Sequence, residues 1–233
     1  MHISHSLLTT NLNKMKKLII AVAFCAVMFV VGKAQAQLSV HLGFAPEVFK
    51  TDIHKDPTGM PLIDTHSEHG YGGFYVGATY NFNLTENLGI AVGGQFRWDR
   101  ENTAKSIFGT LEHRHIENLF LIDVPVMLNY SINLNRDWKI TPFIGPMLSY
   151  GLGGNIKICD QDYSNATTYP WYGTHDWGYD YNRLNLYGVG GLAVSYSNFN
   201  LSGGYRYGLL DLNNDDISTV HTSGFFVGLG YTF

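Results

Sequence analysis

From Leu38 to Phe233, apolar and polar residues alternate with a period of two in eight segments of about ten residues each. The first carries Leu38, Val40, Leu42, Phe44 and Val48 on one parity, and the last carries Phe225, Val227, Leu229, Tyr231 and Phe233. Segments at 71–82, 87–98, 118–130, 138–150, 184–196 and 199–208 repeat the pattern. Such alternation predicts strands with one face on an apolar medium, and about ten tilted residues span a bilayer. The connections alternate too. Short turns fall at 83–86, 131–137 and 197–198, and longer polar stretches near 50–70, 99–115, 151–183 and 209–222. Together these features predict an all-β fold: an eight-stranded antiparallel up-and-down transmembrane β-barrel of the outer-membrane type. Long loops would be extracellular and both termini periplasmic.

Aromatics on the apolar parity collect at the strand ends. Trp98, Tyr130, Trp138, Tyr196, Tyr231 and Phe233 belong to the two girdles that membrane–water interfaces select. Phe82 falls on the same turn-side ring. The other parity should face the lumen, and it holds Glu47, Gln95, Arg97, Asp123 and Arg206. Eight strands leave an interior that side chains can fill, so these residues are expected to form a polar network inside a plugged barrel. An unpaired charge there would be costly.

The N-terminal stretch reads differently. Residues before Met15 carry no pattern. From about Met15, the pair Lys16-Lys17, the apolar run Leu18–Val31 and Ala34-Gln35-Ala36 make the three parts of a cleavable secretory signal peptide. The run of 14 is short of the roughly 20 residues of a membrane helix. Two regions are therefore expected: residues 1–36 as leader and 37–233 as one barrel domain. Removing Lys14, Lys16, Lys17 and Lys33 leaves 15 − 4 = 11 basic residues against 19 acidic ones, a net charge of −8 that gives nucleic acid no footprint. Glycine, at 26 of 233, is in excess but without a three-residue period, which excludes collagen. One cysteine in the mature chain, Cys159, excludes an internal disulfide framework.

Three stretches resemble a known family. Asn118-Leu-Phe-Leu-Ile-Asp-Val-Pro-Val-Met-Leu-Asn-Tyr130 and Pro142-Phe-Ile-Gly-Pro-Met-Leu-Ser-Tyr150 are similar to consecutive strands of the PorT-like outer-membrane β-barrel proteins of Bacteroidetes. Gly203–Leu212 with the closing Gly228-Leu-Gly-Tyr-Thr-Phe233 resembles their last hairpin. Asp123 stands where the family more often has Glu. The resemblance implies outer-membrane localisation, an accessory part in protein secretion, and recognition of the aromatic C-terminus at Phe233 by the barrel-assembly machinery.

Candidate chemistry is sparse. His54, His66, Glu68 and His69 share one long connection, and His113 and His115 lie in the next. None has the spacing of a metal signature, so no metal or cofactor is expected. Ser106, His113 or His115, and Glu117 are drawable as a rim hydrolase set, but a triad needs a spatial arrangement that sequence order does not supply. Residues 151–183 are rich in aromatics and acids (Tyr163, Tyr169, Trp171, Tyr172, Trp177, Tyr179, Tyr181; Asp160, Asp162, Asp176, Asp180), fit either for partner contact or as a self-packed cap. The expected role is non-enzymatic: a monomeric scaffold or surface-loop interaction protein, with outer-membrane lipid and envelope or secretion proteins as partners. A small-solute channel and a rim hydrolase are the alternatives. N-terminal sequencing of protein extracted from membranes should begin at Gln37; retention of the Leu18–Val31 run would overturn the leader assignment.

Overall fold

The computed structural model describes residues 36–55, 61–107, 111–159, 165–172, 181–213 and 218–233. The predicted leader lies outside them, and Gln37–Phe233 forms one compact unit. Its strands are β1 (Ala36–Phe44), β2 (Glu47–Lys55), β3 (Pro61–Asn83), β4 (Leu88–Ile107), β5 (Leu111–Tyr130), β6 (Ile132–Asn133), β7 (Trp138–Cys159), β8 (Thr167–Pro170), β9 (Leu184–Tyr196), β10 (Phe199–Gly208) and β11 (Ser218–Thr232). Each principal strand pairs antiparallel with the next, and β11 returns to pair with both β1 and β2. β1 and β2 are two halves of one stave. The result is the eight-stranded closed barrel that the alternation predicted.

The first stave differs from the expected single strand 38–49. It is interrupted at Ala45-Pro46, where proline has no N–H to give the ladder. Register survives the break: Phe44 faces Val227 before it and Val48 faces Ser223 after it. Ala45 N still donates to Gly73 O at 2.7 Å.

Two turns are built alike. In Leu84-Thr85-Glu86-Asn87 the Thr85 Oγ1 accepts from the amides of Asn87 and Leu88 at 3.3 and 3.0 Å. In Leu134-Asn135-Arg136-Asp137 the Asn135 Oδ1 accepts from Asp137 and Trp138 at 3.0 and 2.8 Å. Short polar side chains of this kind satisfy turn amides locally. The third turn, Ser197-Asn198, closes tightly with Ser197 at a φ of 51°.

The opposite ends of the strands are not the loops expected there. β4 and β5 run to 20 residues each, about twice a bilayer span, and pair from Leu88↔Tyr130 to Ile107↔Leu111. Most of the predicted loop 99–115 is thus a continuing hairpin. Its polar composition hid a ladder whose hydrogen bonds do not depend on hydrophobicity.

The outward face matches the predicted parity. Leu42, Val76, Ile144 and Leu229 are each more than half exposed. Tyr130, Trp138, Tyr196, Tyr231 and Phe233 are exposed at the turn end, with Trp138 against Tyr196 at 4.9 Å and Tyr231 against Phe233 at 5.0 Å. Trp98, at the other rim, is half-buried and donates to Asn118 Oδ1 at 3.3 Å. Phe82 departs from the pattern: it is buried, edge-on to Tyr80.

Closure makes a direct prediction. Leu42 and Leu229 face each other across the β1–β11 seam, and directly opposed Cβ atoms lie about 4.5–5.5 Å apart, within reach of a disulfide after small adjustment. A Leu42→Cys, Leu229→Cys variant should crosslink internally in the folded state. Leu42→Cys with Leu201→Cys, two strands and about 10 Å apart, should not.

Candidate functional site

The inward parity of six strands meets in one buried charged layer. Arg97, on β4, is fully buried. Its Nε donates to Asp123 Oδ2 at 3.0 Å, its Nη1 to Asp99 Oδ2 at 2.8 Å and to Glu47 Oε2, and its Nη2 reaches Ser149 Oγ at 3.5 Å. Ser149 donates to Asp123 Oδ1 at 2.5 Å, and Gln95 Nε2 to Asp123 Oδ2 at 3.1 Å. The register explains the grouping, for Gln95 faces Asp123 and Asp123 faces Ser149. On the far wall Tyr187 donates to Glu47 Oε1 at 2.6 Å, and both Arg97 and Arg206 lie within 6 Å of its ring centroid. Arg206 Nη2 donates to Ala45 O at 2.8 Å and stands 3.5 Å from Glu47 Oε2. All five predicted lumen residues meet here.

Three members went unpredicted. Asp99 is two residues beyond Arg97 and therefore on the same face, but the polar composition of 99–115 predicts a loop there. Ser149 and Tyr187 were on the lumen parity without being assigned to the network.

Above this layer, toward the long connections, the lumen is largely apolar, with Glu117 buried against Tyr71. Phe49, Tyr71, Leu119, Leu121, Ile156, Trp171, Leu212 and Val220 form a buried cluster. Trp171 sits edge-on to Tyr71 at 5.7 Å, within 6.3 Å of Phe49 and of Tyr181, aromatic geometries that add to the area buried. Tyr172 covers Gly151, where any Cβ would collide with its hydroxyl. The Arg183 guanidinium stands 4.6 Å from its ring centroid, and burial pushes the Tyr172 phenol up to about 12. The described part of the 151–183 stretch is thus a cap packed into the barrel mouth. Tyr163, Trp177, Tyr179 and the four aspartates lie outside the described residues. Cys159, the last residue of β7, is buried 3.8 Å from Arg114 O, and so is shielded from intermolecular pairing.

Below the charged layer, at the turn end, the lumen is hollow. A cavity of about 240 Å³ is bounded by apolar walls such as Met127, Phe143, Val189 and Phe226, and by polar groups including Gln95, Asn129 and Arg206. Side chains fill the barrel over part of its height, not the whole of it.

The other candidates do not assemble. In the β4–β5 ladder Ser106 faces Glu112 while Glu117 faces Glu101, so Ser106 and Glu117 are five residues apart along the hairpin, about 17 Å. Glu117 is also buried and accepts from Tyr71 at 2.6 Å. Glu68 forms an exposed pair with Lys50 at 3.1 Å, and His69 stands 3.8 Å from Glu101. His66 faces Asp52, His115 faces Thr103 and His113 faces Lys105. Among the described residues no three His, Cys, Asp or Glu side chains converge as a metal site would require.

A family model described as "Outer membrane protein beta-barrel domain" matches residues 33–214. The chain belongs to this outer-membrane β-barrel family. Its place is accordingly the bacterial outer membrane, and its exposed aliphatic band is lipid-facing. Among solved structures, the barrel is similar to the attachment invasion locus protein Ail of Yersinia pestis at 16% identity, covering 85% of this chain and 99% of that one, with a TM-score of 0.42. It is similar to Neisserial surface protein A at 14% identity, 83% and 97% coverage and a TM-score of 0.41. The outer membrane protease OmpT of Escherichia coli matches at 11% identity, 85% and 96% coverage and 0.42. No curated protein matches the chain.

The charged layer makes this outer-membrane barrel sensitive to single deletions. Asp123→Ala leaves the buried Arg97 short of an acceptor and should cost about 3–5 kcal/mol. It should show as a lower heat-modification temperature on gels, with Asp123→Glu retaining more of the stability. An unchanged temperature for Asp123→Ala would contradict the network.

Proposed function

We propose that this chain is a non-enzymatic outer-membrane barrel that holds a rigid extended sheet and cap at the cell surface for contact with other envelope components. The observation that carries this reading is the double closure of the loop end, first by the Arg97-centred layer and then by the Trp171 cluster. A barrel sealed in this way is built to be stiff, not to conduct. The long β4–β5 hairpin then stands on a stiff base, well beyond the length that lipid requires.

Short turns at one end and long extensions at the other support an orientation with the turn end and both termini in the periplasm. The strand motifs at Asn118–Tyr130 and Pro142–Tyr150 favour a PorT-like, Bacteroidetes-type relation within the family. In that setting the partners are proteins of the envelope or its secretion machinery, with Phe233 serving recognition during assembly.

Planar-bilayer recording of the refolded barrel should give no steady conductance, and gentle crosslinking in whole cells should trap envelope proteins through the β4–β5 hairpin. Stable open channels in the unmodified protein would sink the scaffold reading in favour of a solute pathway.

A further inference from the structure

The turn-end cavity is more than leftover space. At about 240 Å³ it has room for roughly eight waters at ~30 Å³ each. Its composition is also one-sided. Arg206 and Lys139 are the charged lining residues, both cationic, and among the described residues no aspartate or glutamate lines it. The carboxylates of Glu47, Asp99 and Asp123 are all engaged by Arg97 within the charged layer. Arg206 forms part of the cavity wall on the side of that layer. It is 1% exposed; its Nη2 is held by Ala45 O and stands 3.5 Å from Glu47 Oε2, and its Nε has no hydrogen-bond partner. A buried donor left open is destabilising, more so in a charged group, unless something accepts from it. Between this cation and the polar mouth at Ser131 and Thr141, Met127, Phe143, Val189 and Phe226 supply the apolar wall, among polar side chains such as Thr79, Asn129 and Ser202.

From these features we propose that the turn-end lumen is a binding site for a small organic carboxylate with an apolar body. The carboxylate would accept from Arg206 and the body would lie against Met127, Phe143 and Phe226. Pockets of this kind pair a mostly apolar lining with a few placed polar groups that fix orientation. The site goes beyond the scaffold reading and does not depend on it, because the cavity is closed off from the cap by the charged layer. Only the compartment that supplies the ligand, the periplasm, is borrowed from the proposed orientation.

The test is titration calorimetry of the mature barrel in lipid nanodiscs with phenylacetate, with empty nanodiscs subtracting partition into lipid. Neutral 2-phenylethanol and cationic phenethylamine probe the charge requirement. The expected result is saturable one-to-one binding of phenylacetate, at least tenfold weaker binding of 2-phenylethanol and none of phenethylamine. Arg206→Gln should weaken phenylacetate at least tenfold. Ala91→Phe, which fills the cavity from its wall without touching the charged layer, should abolish binding while the heat-modification temperature stays unchanged. If Arg206→Gln does not fold, the Ala91→Phe variant and the charge series decide alone. Absence of saturable heat in the unmodified barrel, binding that survives Ala91→Phe, or equal affinity for all three probes would overturn the site.

Discussion

One guanidinium, that of Arg97, takes three carboxylates and a serine hydroxyl as partners at the centre of the barrel, and the rest of the lumen is arranged around that concentration of charge. Without these partners, a cation in such surroundings would be untenable. With them, β2, β4, β5 and β7 are tied at one height, and the registers of the last three are fixed by the need to bring Gln95, Asp123 and Ser149 into a row. Such a layer is not a large net source of stability, since well-packed apolar groups could fill the same volume at similar or lower free energy. Its effect is selective: a slip of one residue in β2, β4 or β5 would turn a charged side chain toward lipid.

The layer also divides the interior by chemistry. On one side the lumen behaves like the core of a soluble domain, with Trp171 and Tyr71 buried among aliphatics. On the other it remains hollow and positively lined.

Much of this was legible in the alternation alone. Inward and outward faces, strand number and five residues of the charged layer, Glu47, Gln95, Arg97, Asp123 and Arg206, follow from period two plus the cost of placing charge in hydrocarbon. Three things did not follow. Strand length was hidden because the extensions of β4 and β5 are polar on both faces, so the pattern faded where the ladder did not. Asp99 was lost with them, although counting on by two from Gln95 and Arg97 reaches it. The apolar upper lumen was hidden because Leu119 and Leu121 sit on the parity expected to be polar, and parity reports which face a residue takes without reporting what lies there. Pro46 did carry a visible signal, since a proline inside a strand interrupts its ladder.

That interruption has a consequence for how the barrel comes apart. Arg206 belongs to β10, yet it reaches past β11 to the Ala45 carbonyl and toward Glu47 on the first stave. The seam where the sheet's two ends meet is therefore latched from within as well as zipped along its backbone. Peeling the terminal strands apart would drag a guanidinium and a carboxylate into the acyl chains before any apolar contact is recovered, so escape from the native state should be slow even where its equilibrium advantage is modest.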